Sequence, residues 1–478
     1  MTYDVMVIGA GITGSFIARE LSRYKLDICL CESGYDAATA TSGANSGIIH
    51  AGYDTDPGSV RGRFDFQGNR LYPRLAKELN FKFKNTGSLV LAFDKRDEEV
   101  IRSLYYRGKK KGIEGLEILS GEEVKELEPA VSNRVKLALR AMTAGIVSPY
   151  EVTSAALENA VSNGVEVFFD HEVLGITESS GKTFDIETTG KRFSCRYIVN
   201  AAGLFADKAA RMVGDDSFSI HPRKGEYLLL DKNYGSMVSE VIFQTPSDIS
   251  KGVLVTPTAE GNLLLGPTAD DIKDKNDFST SLEGLGHVME RASISVPAVK
   301  NALIITSFAG SRAISSTNDF IISPSNSSER FLNVAGIGSP GLTAAPAIAV
   351  YAVDVLRQQG LCPEPDKSFD PIRKTFSRMA DMGIAELDEA IKKDHRYAKV
   401  VCRCESVSEA EIVAALKSPL GSVTLDGIKK RTRAGMGRCQ GGFCTPKVME
   451  ILSRELSIPM DEITKSGKGS EILSGRTK

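Results

Sequence analysis

Four cysteines near the C-terminus have the spacing of a metal or cluster site. Cys402 and Cys404 are separated by one residue, and 34 residues later Cys439 and Cys444 are separated by four. Two close pairs of thiolates can hold a zinc ion tetrahedrally or a 2Fe-2S cluster. Zinc sites favour two or more residues between paired cysteines. The spacing therefore favours the cluster, with zinc and unligated thiols as the alternatives.

A second chemical signal is the glycine motif Gly9-x-Gly11-x-x-Gly14. Gly9 permits a tight turn, Gly11 lets the backbone approach a pyrophosphate, and Gly14 allows close packing of helix on strand. The helix that follows offers unpaired N–H donors and a positive dipole end. Glu32, 18 residues beyond Gly14, is placed to accept hydrogen bonds from a ribose hydroxyl. The motif predicts a dinucleotide site.

The elements around this motif predict a Rossmann-like α/β fold. An apolar strand over 3–8 precedes the glycines, an amphipathic helix over 15–24 follows, and a second strand over 26–31 ends at Glu32. The same order of strand, glycine turn and helix recurs from Phe331 to Leu356. Residues 216–308 instead hold short apolar runs separated by Gly, Pro and Asp, which is typical of an antiparallel sheet.

These differences in sequence pattern predict three domains and a linker. We expect the dinucleotide-binding domain to be discontinuous, and a mostly antiparallel β substrate domain to be interleaved with it. A charged helical linker and a small cysteine-containing domain complete the chain. The predicted bounds are 1–80, 145–215 and 309–360 for the first domain, 81–144 and 216–308 for the second, 361–398 for the linker, and 399–478 for the last.

Composition excludes several classes of protein. The chain has 478 residues, 59 Lys+Arg against 61 Asp+Glu, and 42% hydrophobic residues. This near-neutral balance argues against a nucleic-acid-binding protein and against a disordered acidic chain. The N-terminus lacks the cationic start of a signal peptide, and no stretch is predicted to span a membrane. We expect a cytoplasmic protein, with peripheral attachment to the inner face of the cell membrane through partner subunits as the alternative.

A small, hydroxyl-rich segment over 40–52 carries the pattern Asn45-x-Gly47-x-x-His50. With the glycine motif, it resembles the FAD-dependent oxidoreductases of the D-amino-acid-oxidase superfamily, which have a glutathione-reductase-like fold. The resemblance extends to about residue 360 and implies bound FAD. The cofactor-binding residues that it and the motif predict are Gly9, Gly11, Thr13, Gly14, Glu32, Ser42, Asn45, Ser46, Gly47, Val173, Ala202, Gly203, Gly338, Gly341, Leu342 and Thr343.

The cysteine segment has a resemblance of its own. Together with Thr424 to Cys444, the two thiol pairs are similar to the bacterioferritin-associated-ferredoxin-like domain, as found in the family of anaerobic glycerol-3-phosphate dehydrogenases. The resemblance implies a 2Fe-2S cluster held by Cys402, Cys404, Cys439 and Cys444. The nearby basic residues Lys429, Lys430, Arg431 and Arg433 are interpreted as a solvated helix end, with docking of an electron-transfer partner as the alternative.

Three residues are candidates for substrate chemistry. Arg312 leaves a predicted strand, and its guanidinium can hold a carboxylate or phosphate by two parallel hydrogen bonds. His50 can take a hydroxyl proton, because imidazole titrates near neutrality. Lys224 lies, with Arg223, in a segment that the resemblance places near the active site. The alternatives are an ion pair for Arg312 and a packing or flavin-contact role for His50.

The leading hypothesis is an FAD-dependent dehydrogenase that oxidises sn-glycerol 3-phosphate and passes electrons through a 2Fe-2S cluster to a partner subunit or a quinone-linked acceptor. The alternatives are an L-2-hydroxyglutarate dehydrogenase, a subunit of an amine or proline dehydrogenase, and an electron-transfer or assembly subunit without its own substrate. The expected partner of the site is a small anionic substrate. The related heteromeric enzymes imply a hetero- or homo-oligomer.

Overall fold

The structure is a computed structural model that describes residues 2–179, 182–246 and 252–475. Its helices in chain order are α1 Ile12–Leu21, α2 Val60–Leu79, α3 Lys95–Lys110, α4 Gly121–Leu127, α5 Pro149–Ser162, α6 Ala206–Arg211, α7 Leu282–Ser295, α8 Gly341–Gln358, α9 Ile384–Lys393, α10 Glu409–Leu416, α11 Leu425–Thr432 and α12 Thr445–Leu456.

The strands follow the same order along the chain. They are β1 Thr2–Ile8, β2 Ile28–Cys31, β3 Ile48–Ile49, β4 Phe83–Lys84, β5 Ser88–Ala92, β6 Leu116–Ser120, β7 Leu137–Ala141, β8 Gly145–Val147, β9 Glu166–Phe168, β10 Val173–Glu178, β11 Phe184–Thr188, β12 Arg192–Asn200, β13 Ile220–Leu230, β14 Val241–Gln244, β15 Leu254–Pro257, β16 Leu263–Gly266, β17 Asp270–Asp271, β18 Ile304–Ser315, β19 Ile321–Pro324, β20 Phe331–Ala335, β21 Val400–Cys402 and β22 Val407–Ser408.

The first sheet has a parallel core. β1 pairs in parallel with β2 and β12, and β12 pairs in parallel with β20. Each residue of β2 and β20 is buried, as expected for strands covered on both faces. α1 connects β1 to the adjacent parallel β2, so the predicted βαβ unit is present. The carboxyl ends of β1, β2 and β12 lie at the same edge of this sheet.

The second sheet is mostly antiparallel, as predicted. Its order is β17-β13-β16-β15-β14-β5-β7-β6, with β18 paired along β13. Only β14 and β5 pair in parallel. Its strands come from 88–141 and 220–315, between segments that build the first sheet, which confirms the interleaved architecture. β18 continues through the boundary predicted at 308/309, because its pairing with β13 extends to Ser315.

Backbone contacts divide the chain into two compact units. The first unit comprises Met1–Ser33 and Ala37–Ile372, and the second comprises Gly34–Asp36 and Arg373–Lys478. The second unit has its own apolar core, which includes Val401, Ile412, Ile428 and Leu452. Among the described residues, no helix combines the length and apolar character needed to cross a membrane.

The segment predicted as charged helices over 371–393 is helical only at its end. Residues 362–378 lack regular helix, and α9 begins at Ile384. Pro363, Pro365 and Pro371 explain the difference at its start, because proline lacks the N–H that a helix interior needs. Side chains of the first unit bind its own last residues: Arg19 donates to the Pro371 carbonyl oxygen, and Asn159 and Asn163 donate to that of Asp370.

Candidate functional site

The turn between β1 and α1 has the geometry that its glycines predict. Gly9 has a φ of 105°, and a Cβ there would lie 2.6 Å from the Ala201 carbonyl oxygen. A Cβ at Gly14 would collide with the Gly9 carbonyl oxygen. α1 therefore packs directly on the turn, and its first N–H groups point towards the carboxyl edge of the sheet. This is the cradle that a dinucleotide pyrophosphate requires.

Glu32 lies at the carboxyl end of β2, beside this turn. Its Oε2 accepts a hydrogen bond of 2.7 Å from the Ala10 N–H. Its backbone continues the sheet, because its N–H donates to the Phe168 carbonyl oxygen and its carbonyl oxygen accepts from the His171 N–H. The carboxylate thus has a fixed position next to the glycine turn, where a ribose would bind.

A cavity of about 410 Å³ in the first unit collects most of the predicted site residues. The N-termini of α1 and α8 both open into it. Their N-cap residues, Gly11 and Pro340, provide no side-chain cap, and the Ser42 hydroxyl accepts a 2.9 Å hydrogen bond from the Ile12 N–H at the start of α1. The predicted residues that line it are Gly11, Thr13, Ser42, Asn45, Ser46, His50, Gly203, Arg312, Gly338, Gly341 and Leu342. Residues from five separate parts of the sequence therefore meet at one place.

Other predicted residues lie outside this lining. Gly9, Gly47 and Ala202 are in the connecting segments that shape the cavity, Gly14 is in the first turn of α1, and Thr343 is buried in the first turn of α8. The Thr343 hydroxyl accepts a 2.9 Å hydrogen bond from the His50 backbone N–H, so it fixes the segment that carries His50. Glu32 is at the end of β2, and Val173 is a buried residue at the start of β10.

Lys224 is the predicted catalytic residue that the structure does not bring to the cavity. Arg223 and Tyr227 of β13 line the cavity, whereas Lys224 follows Arg223 directly, and successive side chains of a strand point to opposite faces. Its Nζ instead lies 2.8 Å from Asp277 Oδ2, and the residue is buried. The structure therefore gives Lys224 a structural ion pair and no contact with the cavity.

The cavity has a positive lining. Arg61, Arg223 and Arg312 contribute three guanidinium groups, and Asp54 is the one acidic residue among the described lining residues. Arg61 pairs with Asp319 at 3.3 Å, and Arg223 makes two hydrogen bonds to Asp271, at 2.7 and 3.0 Å. These two charges are partly neutralised before any substrate binds.

Arg312 has no such carboxylate. Within the described part of the chain it makes no ion pair, and its Nη2 donates weakly, at 3.4 Å, to the Thr268 carbonyl oxygen. It also contacts the Tyr227 hydroxyl group. Burial raises the pKa of that phenol, and Arg312 opposes the rise, so Tyr227 stays protonated at neutral pH. Arg312 therefore presents an available cation for an anionic ligand.

Sequence reasoning missed Tyr227, Arg61 and Asp54. Strand periodicity could have found Tyr227, because it shares a face of β13 with Arg223. Between them, Gly225 leaves room for Arg312: a Cβ at Gly225 would lie 3.3 Å from Arg312 Nη2. Arg61, in the first turn of α2, carries no local signal, because its place in the cavity depends on Asp319, 258 residues away.

In the second unit the four predicted thiols meet as two pairs. Cys404 Sγ lies 3.8 Å from Cys439 Sγ, and the Cys444 thiol is hydrogen-bonded to Cys402. Two sulfurs on one tetrahedral metal about 2.3 Å from each would be about 3.8 Å apart. No three His, Cys, Asp or Glu side chains of the described residues form a site for one metal ion. Two thiol pairs thus fit a two-iron cluster better than a single zinc.

Backbone N–H groups surround these sulfurs. Hydrogen bonds from the Cys444 thiol and from the backbone of Gly435 and Glu405 lower the pKa of Cys402 to about 6. The backbone of Phe443 and Gly441 lowers the pKa of Cys439. Gly437 allows the close approach, because a Cβ there would collide with Cys404 Cβ. The donor set and its cradle match thiolate ligands of a cluster.

The interpretation of the nearby basic residues as a solvated helix end is wrong for two of them. Arg431 and Arg433 are both buried. Arg431 makes two hydrogen bonds to Asp36, at 2.6 and 2.9 Å, and Arg433 pairs with Glu405 at 2.7 Å. Buried guanidinium groups need such partners. These two charges are internal to the second unit and cannot contact a partner protein.

The glycine cradle, the sheet edge and the thiol pairs define a nucleotide-dependent redox protein with an attached iron–sulfur domain. Comparison with known proteins gives the family. Residues 4–355 match the family described as FAD dependent oxidoreductase, and residues 400–454 match the BFD-like [2Fe-2S] binding domain. The chain belongs to the FAD dependent oxidoreductase family, and its cofactors are FAD and a 2Fe-2S cluster. Both cofactor predictions are confirmed.

Individual relatives agree with this assignment. The chain is 47% identical over 476 residues to a glycerol 3-phosphate dehydrogenase of Caloramator mitchellensis, covering 100% of this chain and 99% of that protein. It is 31% identical over 296 residues to an L-2-hydroxyglutarate dehydrogenase of Escherichia coli O17:K52:H18, covering 59% of this chain and 69% of that protein. Among solved structures, the FAD-bound, dithionite-reduced L-alpha-glycerophosphate oxidase of Mycoplasma pneumoniae has a TM-score of 0.75 and 32% identity, covering 79% of this chain and 100% of that one.

Proposed function

We propose that the chain is an FAD-dependent dehydrogenase that oxidises sn-glycerol 3-phosphate to dihydroxyacetone phosphate. The observation that carries this proposal is the 47% identity, over the whole of both chains, to a protein named glycerol 3-phosphate dehydrogenase. The charge of the cavity supports the same substrate, since Arg61, Arg223 and Arg312 line it against one acidic residue. A phosphate monoester that carries a secondary alcohol fits this environment.

Arg312 is the proposed anion anchor. Its guanidinium can form two parallel hydrogen bonds to phosphate oxygens, and charge-assisted bonds of this kind are about twice as strong as neutral ones. Arg61 and Arg223 add positive potential, although Asp319 and Asp271 partly neutralise them. Tyr227, which contacts Arg312 and lines the cavity, orients the guanidinium.

The cofactor is proposed to bind across the same cavity. The turn over Gly9–Gly14 and the N-terminus of α1 would hold its pyrophosphate, Glu32 would accept from its ribose, and Asn45 and Gly341 line the part where its ring system would lie. Bound FAD supplies an acceptor for two electrons and a hydrogen from the substrate carbon.

His50 is the proposed general base. Oxidation of a secondary alcohol removes a hydride equivalent from carbon and a proton from oxygen, and an imidazole nitrogen of His50 would take that proton. His50 lines the cavity, its backbone N–H is held by Thr343, and its ring lies 5.8 Å from that of Phe243. The ring is therefore held between a fixed backbone and an aromatic side chain.

The thiol pairs of the second unit support an electron exit. An iron–sulfur cluster accepts one electron at a time, whereas alcohol oxidation releases two, so a cluster is useful to an enzyme that exports electrons. We propose that electrons leave through this cluster to a partner protein or a quinone-linked acceptor. We propose that the reaction takes place in the cytoplasm. The alternative is that a partner protein attaches the enzyme to the inner face of the cell membrane.

The test is the absorbance spectrum of the purified, oxygen-free holoenzyme before and after substrate. Glycerol 3-phosphate should bleach the flavin within seconds, and L-2-hydroxyglutarate and proline should not. Bleaching by L-2-hydroxyglutarate alone would replace the proposed substrate. Bleaching by dithionite but by none of these compounds would indicate an electron-transfer or assembly subunit.

A variant tests the role of His50. His50→Gln keeps a hydrogen-bonding side chain but removes the basic nitrogen, so the rate of flavin bleaching should fall about 100- to 10,000-fold while KM changes little. An unchanged rate with a normal flavin spectrum would assign the proton to another group.

A further inference from the structure

The thiol site has one side that faces solvent. Cys402 and Cys444 are buried, whereas Cys404 is exposed. Cys404 Sγ lies 3.8 Å from Cys439 Sγ, and Cys439 is half-buried, so this pair is the edge of the site from which an electron has the shortest route out of the protein. Side chains around Cys404 therefore decide what can approach that edge.

Phe443 is the most unusual of these side chains. It precedes Cys444 and is 84% exposed, although the apolar residues that follow it on α12, such as Val448 and Leu452, are buried. Its position is fixed, because its backbone N–H is hydrogen-bonded to Cys439. An exposed aromatic ring on a rigid backbone is typical of the centre of a protein interface.

The exposed charges beside the thiol pairs are mostly basic: they lie on the two loops and at the start of α12, where Glu450 is an exposed acidic residue. Arg403 and Lys447 are exposed, and neither makes an ion pair with any residue that the structure describes. Arg438, next to Cys439, is exposed as well. The acidic residue of these loops, Glu405, is buried and paired with Arg433 at 2.7 Å. The rim around Phe443 is thus positive.

We infer that Arg403, Cys404, Arg438, Phe443 and Lys447 form a docking surface for an acidic protein that carries one electron at a time. This inference rests on the proposed electron exit and names its surface and its partner. Two oxidised carriers would each take one electron from the cluster for every substrate molecule oxidised. The two hydrogens removed from the substrate, one from the carbon and one from the hydroxyl group, are released to solvent as two protons.

Charge complementarity selects this occupant. An acidic carrier would be attracted over several ångströms to the positive rim, would reach Phe443 as its apolar centre, and would leave quickly at higher ionic strength. A second copy of this chain would instead place Arg403 and Lys447 against like charges, which is unfavourable.

The experiment uses the holoenzyme with two haem proteins of opposite charge, the acidic cytochrome b5 and the basic cytochrome c. With glycerol 3-phosphate as donor and at low ionic strength, the enzyme should reduce cytochrome b5 faster than cytochrome c. Reduction of cytochrome b5 should slow as salt is added. The double variant Arg403→Glu with Lys447→Glu should lower its second-order rate at least about tenfold. Phe443→Ser should lower the rate about tenfold with less effect on salt dependence.

Two controls distinguish docking from damage. Lys417→Glu changes an exposed charge of the second unit outside these loops, and Leu282→Ser removes a side chain that is 92% exposed on the first unit; both should leave the rate unchanged. Flavin and cluster absorbance should be normal in every variant. If charge reversal disturbs the cluster, Arg403→Gln with Lys447→Gln provides the same comparison with a smaller expected loss.

A failure of the proposed function can be distinguished from a failure of the docking surface. If glycerol 3-phosphate does not bleach the flavin, the holoenzyme reduced with dithionite and freed of excess reductant still reports electron transfer to cytochrome b5. Equal rates for wild type and the double variant would overturn the docking surface. The docking surface would also be overturned if Phe443→Ser abolished self-association and left electron transfer unchanged, because the surface would then join copies of the chain.

Discussion

Arg312 differs from the other arginines of the cavity in having no acidic neighbour. Arg61 and Arg223 are held by Asp319 and Asp271, whereas Arg312 contacts a carbonyl oxygen and a phenol. A half-buried guanidinium without a counter-charge is costly to leave unpaired, and an anionic ligand removes that cost. At the scale of single residues, this difference in pairing selects the anion site.

We predict that Arg312→Ala weakens substrate binding far more than it affects folding. The loss of a charge-assisted, two-point contact should raise KM for glycerol 3-phosphate by roughly 10- to 100-fold. Arg192→Ala, which removes an exposed arginine of the same unit, should leave KM unchanged. Steady-state kinetics measure both, and a KM for Arg312→Ala within twofold of the wild-type value would contradict the assignment.

At the scale of elements, the contact of α1 with the β1–α1 turn forms the nucleotide cradle. We predict that Gly14→Ala loses FAD, because the added methyl group would collide with the Gly9 carbonyl oxygen. Overpacking of this kind costs about 1–3 kcal/mol and would move the helix N-terminus. Flavin content after purification and the urea midpoint of unfolding measure the effect.

The same substitution in another helix is the control. Gly286 lies in α7, and a Cβ there would meet no atom within 4 Å. Gly286→Ala should keep full flavin content and raise the free energy of unfolding by up to about 1 kcal/mol, because alanine favours helix. Equal flavin content in the two variants would show that close packing at Gly14 is unimportant.

A carboxylate and a serine hydroxyl hold the N-terminus of α2: Ser59 accepts from the Gly62 N–H, and Asp319 binds the preceding N–H groups. Asp319 accepts hydrogen bonds from the backbone N–H groups of Val60, Arg61 and Phe320. Burial raises the pKa of Asp319, but these N–H groups outweigh it, so the pKa is lower than its usual 3.8. The stabilisation is therefore complete above pH 3.8 and is lost as the pH falls through the lowered pKa of the folded state.

We predict that Asp319→Asn lowers the free energy of unfolding by about 1 kcal/mol at pH 7, and that the difference from wild type shrinks below pH 3.8. Urea midpoints measured from pH 7 down to pH 3 test this. Asp216→Asn, which changes an exposed carboxylate without a hydrogen bond or ion pair in the described residues, should give no such difference. A gap between Asp319→Asn and wild type that widens in acid would contradict the prediction.

At the scale of the whole molecule, the two units have separate cores and separate chemistry. We predict that Cys404→Ala lowers iron content from about two to well under one per chain, because it removes one of four thiolate ligands. Glycerol 3-phosphate should still bleach the flavin, while electron transfer to cytochrome b5 falls to background. Cys362→Ala, at the other exposed cysteine, should change none of these properties. Full iron content in Cys404→Ala would remove Cys404 from the ligands.

The sequence by itself determined the features that depend on local spacing. Gly9, Gly11 and Gly14 specify a turn because they set the backbone within six residues, and the apolar runs around them specify the strands that the turn joins. The close cysteine pairs specify thiolate chemistry, because one or four intervening residues bring two sulfurs of a pair into reach of one site. The fold class followed from these local patterns, whereas FAD and the 2Fe-2S cluster followed from the family resemblances that the motifs carry.

Only the tertiary structure decided which charged groups are available. The sequence already made Arg312 a candidate, but only the structure shows that Arg61 and Arg223 are paired with Asp319 and Asp271, which come from other parts of the sequence. Lys224 was expected near the active site, whereas its Nζ pairs with Asp277, and Arg431 was expected in solvent, whereas it is buried and paired with Asp36, 395 residues away. Pairing and burial depend on long-range contacts that no local pattern encodes, whereas a glycine turn depends on its own few residues.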